Sequence, residues 1–136
     1  MATFHFELVS PERLLFSGDV EQVDVPGAEG DFGVLAQHAP MVTTLRPGIL
    51  TVHAAGGEQK IVVLGGFAEV SADGLTVLAD SADAVEDIDR TMISARISEL
   101  EGRIAKTELG AELDKLVSQL DHFKDVDRYL TDTAAH

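Results

Sequence analysis

The chain has 136 residues, 45% apolar and 25% charged, with 24 acids against 10 lysines and arginines and no cysteine. This is the composition of one ordinary globular domain or two very small ones, and it excludes disulfides, thiol catalysis, thiolate zinc and iron–sulfur sites. The formal net charge of −14 makes nucleic acid and anionic membrane surfaces poor partners and leaves a basic or amphipathic protein surface open.

Met1 to Ser10 carries neither a basic n-region nor an unbroken apolar h-region, so a signal peptide is not expected. The chain is expected to be soluble, without direct membrane insertion. Its densest apolar run, Ile61 to Leu64 leading into Gly65-Gly66-Phe67, is far short of the ~20 residues of a membrane span. Phe4, Phe6 and Leu8 alternate with His5, Glu7 and Val9, the period of a strand with one buried face. Similar runs follow at Leu14–Phe16, Asp19–Val25, Met41–Leu45, Ile49–His53, Gln59–Leu64, Phe67–Val70 and Leu75–Leu78. Turn chemistry divides them at Ser17-Gly18, Pro26-Gly27, Pro47-Gly48, Gly56-Gly57 and Asp73-Gly74. Short strands at this spacing predict an all-β sandwich or barrel, whose last two strands form a hairpin.

Composition changes near residue 86. All 4 prolines and 10 of the 12 glycines precede it, and so do 13 of the acids against 3 bases. Beyond it, Ile88, Met92, Ile93, Ile97, Leu100 and Ile104 form one stripe at steps of three and four. Leu109, Leu113, Leu116, Val117, Leu120 and Phe123 form another, continuing through Val126 and Leu130. The spacing predicts two amphipathic helices, with Asp87 or Asp89 as N-cap and a break over Lys106–Gly110, packed as an antiparallel hairpin. The expected domains are therefore 1–86 and 87–136.

Catalytic chemistry is hard to find. His5, His38, His53, His122 and His136 are scattered without metal-ligand spacing, so no metal site is expected. There is no nucleophile elbow and no phosphate loop. Gly27, Gly30 and Gly33 are three apart, but Glu29 and Asp31 stand among them without a lysine, and an acidic loop repels phosphate. The pairs Asp80/Asp83, Asp87/Asp89 and Asp125/Asp127 lack a nearby base and read as solvated charge or caps. An enzyme is unsupported by these residues, no cofactor is expected, and physics alone stops at a binding or structural module.

The string from Pro26 to Pro40, PGAEGDFGVLAQHAP, closely resembles the signature loop of the epsilon subunit of F-type ATP synthases, P-G-x-x-G-x-[FI]-G-[VI]-L-x-x-H-[AS]-P. Gly65 to Val70, GGFAEV, resembles the family's second hallmark. Phe6-x-Leu8-Val9-Ser10-Pro11-Glu12 resembles its opening strand, and Ile88-Asp89 sits where its helical hairpin begins. The resemblance covers essentially the whole chain.

It implies a β-sandwich of about ten strands followed by a helix–loop–helix, in a non-catalytic subunit of the rotor. The implied partners are the gamma subunit, the c-ring and, through an extended hairpin, the catalytic alpha and beta subunits. The implied place is peripheral, on the cytoplasmic face of the bacterial plasma membrane.

Carried onto this chain, the resemblance assigns Glu29, Asp31, Phe32, Gln37, His38, Ala39 and Pro40 to a protein interface, with the carboxylates meeting the polar loops of the c-ring. Gly27 and Gly33 allow tight turns, Gly65 and Gly66 a sharp bend, and Phe67 is expected to anchor the core. Relatives that bind ATP open the first helix with [IL]-D-x-x-R-A. Ile88 and Asp89 match, but Met92 and Ile93 stand where Arg and Ala belong, so nucleotide binding is expected to be weak or absent. Arg90 lies about 200° around the helix from the missing guanidinium. Glu99 to Arg103 and Asp121 to Lys124 are spaced to pair locally, which implies a weakly inhibitory hairpin. The remaining alternatives are a free-standing ligand-binding β-sandwich with an oligomerising helical tail and a small hydrolase with a hidden site.

Overall fold

The computed structural model describes residues 2–134. Met1 and His136, the last of the scattered histidines, lie outside the described residues. The chain divides into two compact units between Glu86 and Asp87.

The first unit is a two-layered β-sandwich of eight strands. In chain order they are β1 (Phe4–Ser10), β2 (Arg13–Val20), β3 (Gln22–Gly27), β4 (Gly30–Leu35), β5 (Met41–Ala54), β6 (Gly57–Ser71), β7 (Gly74–Ala79) and β8 (Ala82–Ala84). They pair along the path β2-β1-β7-β6-β5-β3-β4, with β8 added to β6. One buried cluster draws on both layers, with Phe6, Leu8, Ala68, Leu75 and Val77 at one end of the path and Val23, Val34, Leu50, Val52 and Ile61 at the other. The alternation of Phe6 and Leu8 with exposed or half-buried neighbours is the period that the sequence shows.

The eight strands agree roughly with the number expected, while two expected turns, Ser17-Gly18 and Pro47-Gly48, fall within strands β2 and β5. Pro47-Gly48 lies inside β5, still in register opposite Leu64 and Val63 of β6. A proline is tolerated there because the pairing with β3 jumps from Asp24↔Thr51 to Gly27↔Leu45, leaving the intervening β5 residues outside that ladder. Gly48 is required for packing, since a Cβ on it would stand 2.7 Å from the Pro26 Cβ. In β6, Gly65 and Gly66 have φ of +104° and +118°, the sharp bend expected of them, and pairing passes from β8 on one side of it to β7 on the other.

Three further expectations change. Asp19–Val25 is two strands: Val20 and Val23 are both buried, a three-residue step that breaks the alternation where the chain leaves β2. The glycine-rich stretch read as a loop contains strand β4, whose Val34 is buried and whose Phe32 packs against the core. Phe67 is not a core anchor. It is 48% exposed, because after the glycine bend it is Ala68 and Val70 that turn inward.

The second unit is a pair of helices, α1 (Arg90–Lys106) and α2 (Ala111–Ala134). Asp89 caps α1, accepting a hydrogen bond from the Thr91 amide at 2.9 Å. Ile93 and Leu100 are buried with Leu116, Leu120, Phe123, Val126 and Leu130, so the two stripes cover each other. Leu109 falls in the connection and is exposed, as are Met92 and Val117.

Candidate functional site

The residues of the long motif form a tight hairpin. β3 and β4 pair from Gln22↔Leu35 to Gly27↔Gly30, leaving Ala28-Glu29 as the turn. Gly27 is fixed by crowding: a Cβ there would lie 2.7 Å from the Gly30 carbonyl and 2.9 Å from the Phe32 ring. Gly30 has φ +143°, open to glycine and strained for other residues. Glu29 and Asp31 are exposed at the tip.

Arg46, from β5, holds this tip. Its Nη1 donates to the Gly27 carbonyl at 2.6 Å and its Nη2 to the Asp31 carboxylate. The Ala28 amide donates to the Thr44 carbonyl at 2.9 Å. A turn with two glycines is thus made rigid by a neighbouring strand, and it presents two carboxylates, one of them partly neutralised.

The base of the hairpin carries a second polar cluster. Gln22 Nε2 donates to one Asp24 carboxylate oxygen at 2.6 Å, and His53 Nε2 lies 2.8 Å from the other. Burial alone would raise the Asp24 pKa. The hydrogen bonds from His53 and Gln22, with the positive field of His53 and Lys60, outweigh it and lower that pKa below the usual 3.8. Gly33 leaves room for this cluster, since a Cβ would stand 3.2 Å from an Asp24 oxygen.

The expected interface residues do not converge on one spot. β4 takes five steps from Gly30 to Leu35, roughly 17 Å of strand. Glu29, Asp31 and Phe32 therefore belong to the tip end, while Gln37, His38, Ala39 and Pro40 follow the opposite end of β4. There Gln37 has φ +69°, the His38 amide donates to the Leu35 carbonyl at 3.2 Å, and His38 Nδ1 donates to the Ala39 carbonyl at 2.8 Å. His38 is engaged locally, with no carboxylate partner among the described residues.

Sequence reasoning missed Arg46, Gln22, Asp24 and His53. Arg46 is one of only three bases before residue 86, which was a usable signal, but its partner lies fifteen positions away on another strand. In the helical unit, Asp89 is occupied as a cap by Thr91, and this lowers its pKa. Ile93, where the nucleotide motif has Ala, is fully buried. The local pairs expected of Glu99 with Arg103 and Asp121 with Lys124 are replaced. Arg96 pairs with Glu99 at 3.0 Å, Arg128 with Asp125 at 3.1 Å, Arg90 with Asp127 at 3.3 Å and Lys124 with Glu101 at 3.8 Å.

Residues 3–85 match the family described as ATP synthase, Delta/Epsilon chain, beta-sandwich domain. The chain is 60% identical to the ATP synthase epsilon chain 1 of Nitrobacter hamburgensis and 58% identical to the ATP synthase epsilon chain of Afipia carboxidovorans, over 136 residues and the full length of each. The chain belongs to the ATP synthase epsilon-chain family. Among solved structures, a chain of the Euglena gracilis mitochondrial ATP synthase, OSCP/F1/c-ring assembly, superposes with a TM-score of 0.72 at 26% identity. That match covers 100% of this chain and 83% of the other. Epsilon chains are non-catalytic subunits of ATP synthase, and both the sandwich and the helical pair follow the fold expected from the motif. No helix among the described residues is long and apolar enough to cross a membrane.

Proposed function

We propose that this epsilon chain is a rotor subunit of the central stalk, coupling proton transport through the c-ring to ATP synthesis and hydrolysis in the catalytic head. Its sandwich contacts the gamma subunit and the c-ring, and the complex sits peripherally on the cytoplasmic face of a bacterial plasma membrane. The observation that carries this reading is the hairpin tip held by Arg46, which presents Glu29 and Asp31 on a stiff support. A rotor contact must transmit torque without bending, and opposite charges across it orient more than they add affinity. The solved relative in an F1/c-ring assembly supports the same placement.

The test reverses charge without loosening the tip. Glu29→Lys leaves the Arg46–Asp31 pair intact, and it should weaken attachment of the full chain to the c-ring and change its salt dependence. Attachment unchanged across ionic strength overturns the tip as the contact. The helical hairpin is proposed as a weak inhibitor of hydrolysis, because acids of the same hairpin already hold Arg90, Arg96, Lys124 and Arg128. Extending it toward the alpha and beta subunits would also expose Leu100, Leu116 and Leu120 to water unless gamma covered them.

A further inference from the structure

Both ring nitrogens of His53 face carboxylates. Nε2 lies 2.8 Å from an Asp24 oxygen on β3, and Nδ1 lies 3.6 Å from a Glu58 oxygen on β6. Register makes this a span across three strands, since His53 of β5 stands opposite Gln22 on one side and Glu58 on the other. Asp24 decides which nitrogen titrates. Its lowered pKa keeps it ionised at neutral pH, and an ionised carboxylate only accepts. Nε2 therefore carries a proton whether the ring is neutral or charged. The proton that comes and goes is the one on Nδ1, the nitrogen that faces Glu58.

With that proton the ring is a cation between two carboxylates. Without it a lone pair faces Glu58, and the Asp24 contact keeps its hydrogen bond but loses its ion-pair part. Two other charges stand beside the ring among the described residues. Lys60 of β6 donates to the Thr51 hydroxyl at 3.3 Å and adds its positive field at Asp24. Glu21, just before β3, lines the same cleft as His53.

The cluster lies at a weak point of the signature hairpin. Asp24 is paired with Thr51 just before the register jumps to Gly27↔Leu45, so Val25 and Pro26 fall outside the ladder to β5. Beyond the jump, Arg46 and the Thr44 carbonyl hold the tip. Before it, β5 holds Asp24 through the His53 side chain.

We propose that His53 is a proton-dependent brace for the base of the signature hairpin. The imidazolium ties β3 to β6 across β5, and loss of the Nδ1 proton releases Glu58 and loosens β3 where its ladder breaks. The hairpin is stiffest when the ring is charged and slackens as pH rises through the titration of His53. That the slack reaches a rotor contact rests on the rotor reading, whereas the brace itself rests only on the strands.

The test is amide hydrogen exchange of the isolated full chain from about pH 5 to about pH 8, read as protection factors so that the intrinsic pH dependence of exchange cancels. Protection between Gln22 and Gly27 should fall about two- to fivefold across that range in wild type, the size expected of partly exposed ion pairs. His53→Gln, whose amide can donate to Asp24 but cannot charge, should flatten the profile, and so should Glu58→Gln. His5→Gln is the control, because His5 also has two carboxylates beside it, Glu7 at 3.1 Å and Asp19 at 3.7 Å, on other strands. It should leave the fall at the hairpin as in wild type. The chain is measured without partners, so every result bears on the brace and none on the rotor reading. A flat wild-type profile overturns the brace. So does a fall that survives in His53→Gln or in Glu58→Gln, or one that disappears in His5→Gln.

Discussion

Gly66→Ala should be among the most damaging single-methyl changes in this protein. Gly66 has φ +118°, and a Cβ on it would stand 2.1 Å from the Leu78 carbonyl oxygen and 2.8 Å from the Ala79 Cα. Both are backbone atoms of β7, so no rotamer relieves the overlap. Gly57 supplies the control: its φ is +121°, nearly the same, and a Cβ there meets nothing within 4 Å. Strain from the positive φ should cost each variant about 1–3 kcal/mol. In Gly66→Ala, β7 must also move away, disturbing the Gly66↔Ala79 pairing, with one or two hydrogen bonds at about 1 kcal/mol each and some core packing. The total is about 3–5 kcal/mol, against a typical domain stability of about 5–15 kcal/mol. Thermal denaturation of the full chain, followed by circular dichroism, should place the sandwich transition of Gly66→Ala well over 10 °C below that of wild type. Gly57→Ala should fall between the two. Equal losses would show that φ strain alone fixes both glycines, and would refute the close approach of β6 to β7 as the reason Gly66 is needed. Near-wild-type behaviour of both variants would refute the strain argument as well.

Asp24 has a lowered folded pKa, so its contribution is present above the unfolded value near 3.9 and is lost as pH falls through the folded value. Urea unfolding from pH 2.5 to 7 should show wild type more stable than Asp24→Asn by less than about 1 kcal/mol, because the side chain is half exposed, with the gap narrowing only below about pH 4; a gap that does not narrow between pH 4 and pH 2.5 counts against it. Calorimetric titration with ATP should show no saturable micromolar binding, while Ile93→Ala, which restores one motif residue, should cost the helical unit about 2–5 kcal/mol by emptying a buried site. Deleting 87–136 should leave a cooperatively folding sandwich, since its buried cluster lies wholly within the first unit, and should change ATPase activity of the assembled enzyme by only a small factor. Activation well beyond twofold would show that specific packing outweighs local charge pairing in the hairpin.

Local periodicity carried the fold where one strand face meets one core. Phe6 and Leu8 in β1, Leu75 and Val77 in β7, and Ile93, Leu100, Leu116, Leu120 and Phe123 of the helical stripes are buried as their spacing implies. The misreadings came from long-range pairing. Pro47-Gly48 has the local chemistry of a turn, and only the missing β3 ladder beside it explains why the strand continues. Phe67 was legible after all, because Glu69 two positions on belongs to the same face, and a face carrying a glutamate is the outer one. The side chain's apolar character outweighed that signal in the sequence reading. At the candidate site, Gly27, Glu29 and Asp31 could be picked out as a motif. The Arg46 clamp could not, since two strands separated by fifteen residues must first be brought together.

One strand joins the outer face of the sandwich to the proposed contact at the hairpin tip. β5 carries Val42 and Thr44 on the outer face, accepts the Ala28 amide at the Thr44 carbonyl, and then places Arg46 against Gly27 and Asp31 at the hairpin tip. No loop intervenes along that path, and Met41 to Leu45 is paired throughout with Gly66 to Val70 of β6. A tip that passes force into the body of the sandwich needs this continuity, because flexible residues between the two would absorb it as local bending. The glycines of the bend and the tip lie off that path, where Gly66 is crowded by β7 and the Gly27 carbonyl is held by Arg46. The signature motif therefore reads as mechanical in origin. Its glycines allow close backbone approach, and neighbouring strands remove the freedom that glycine would otherwise bring.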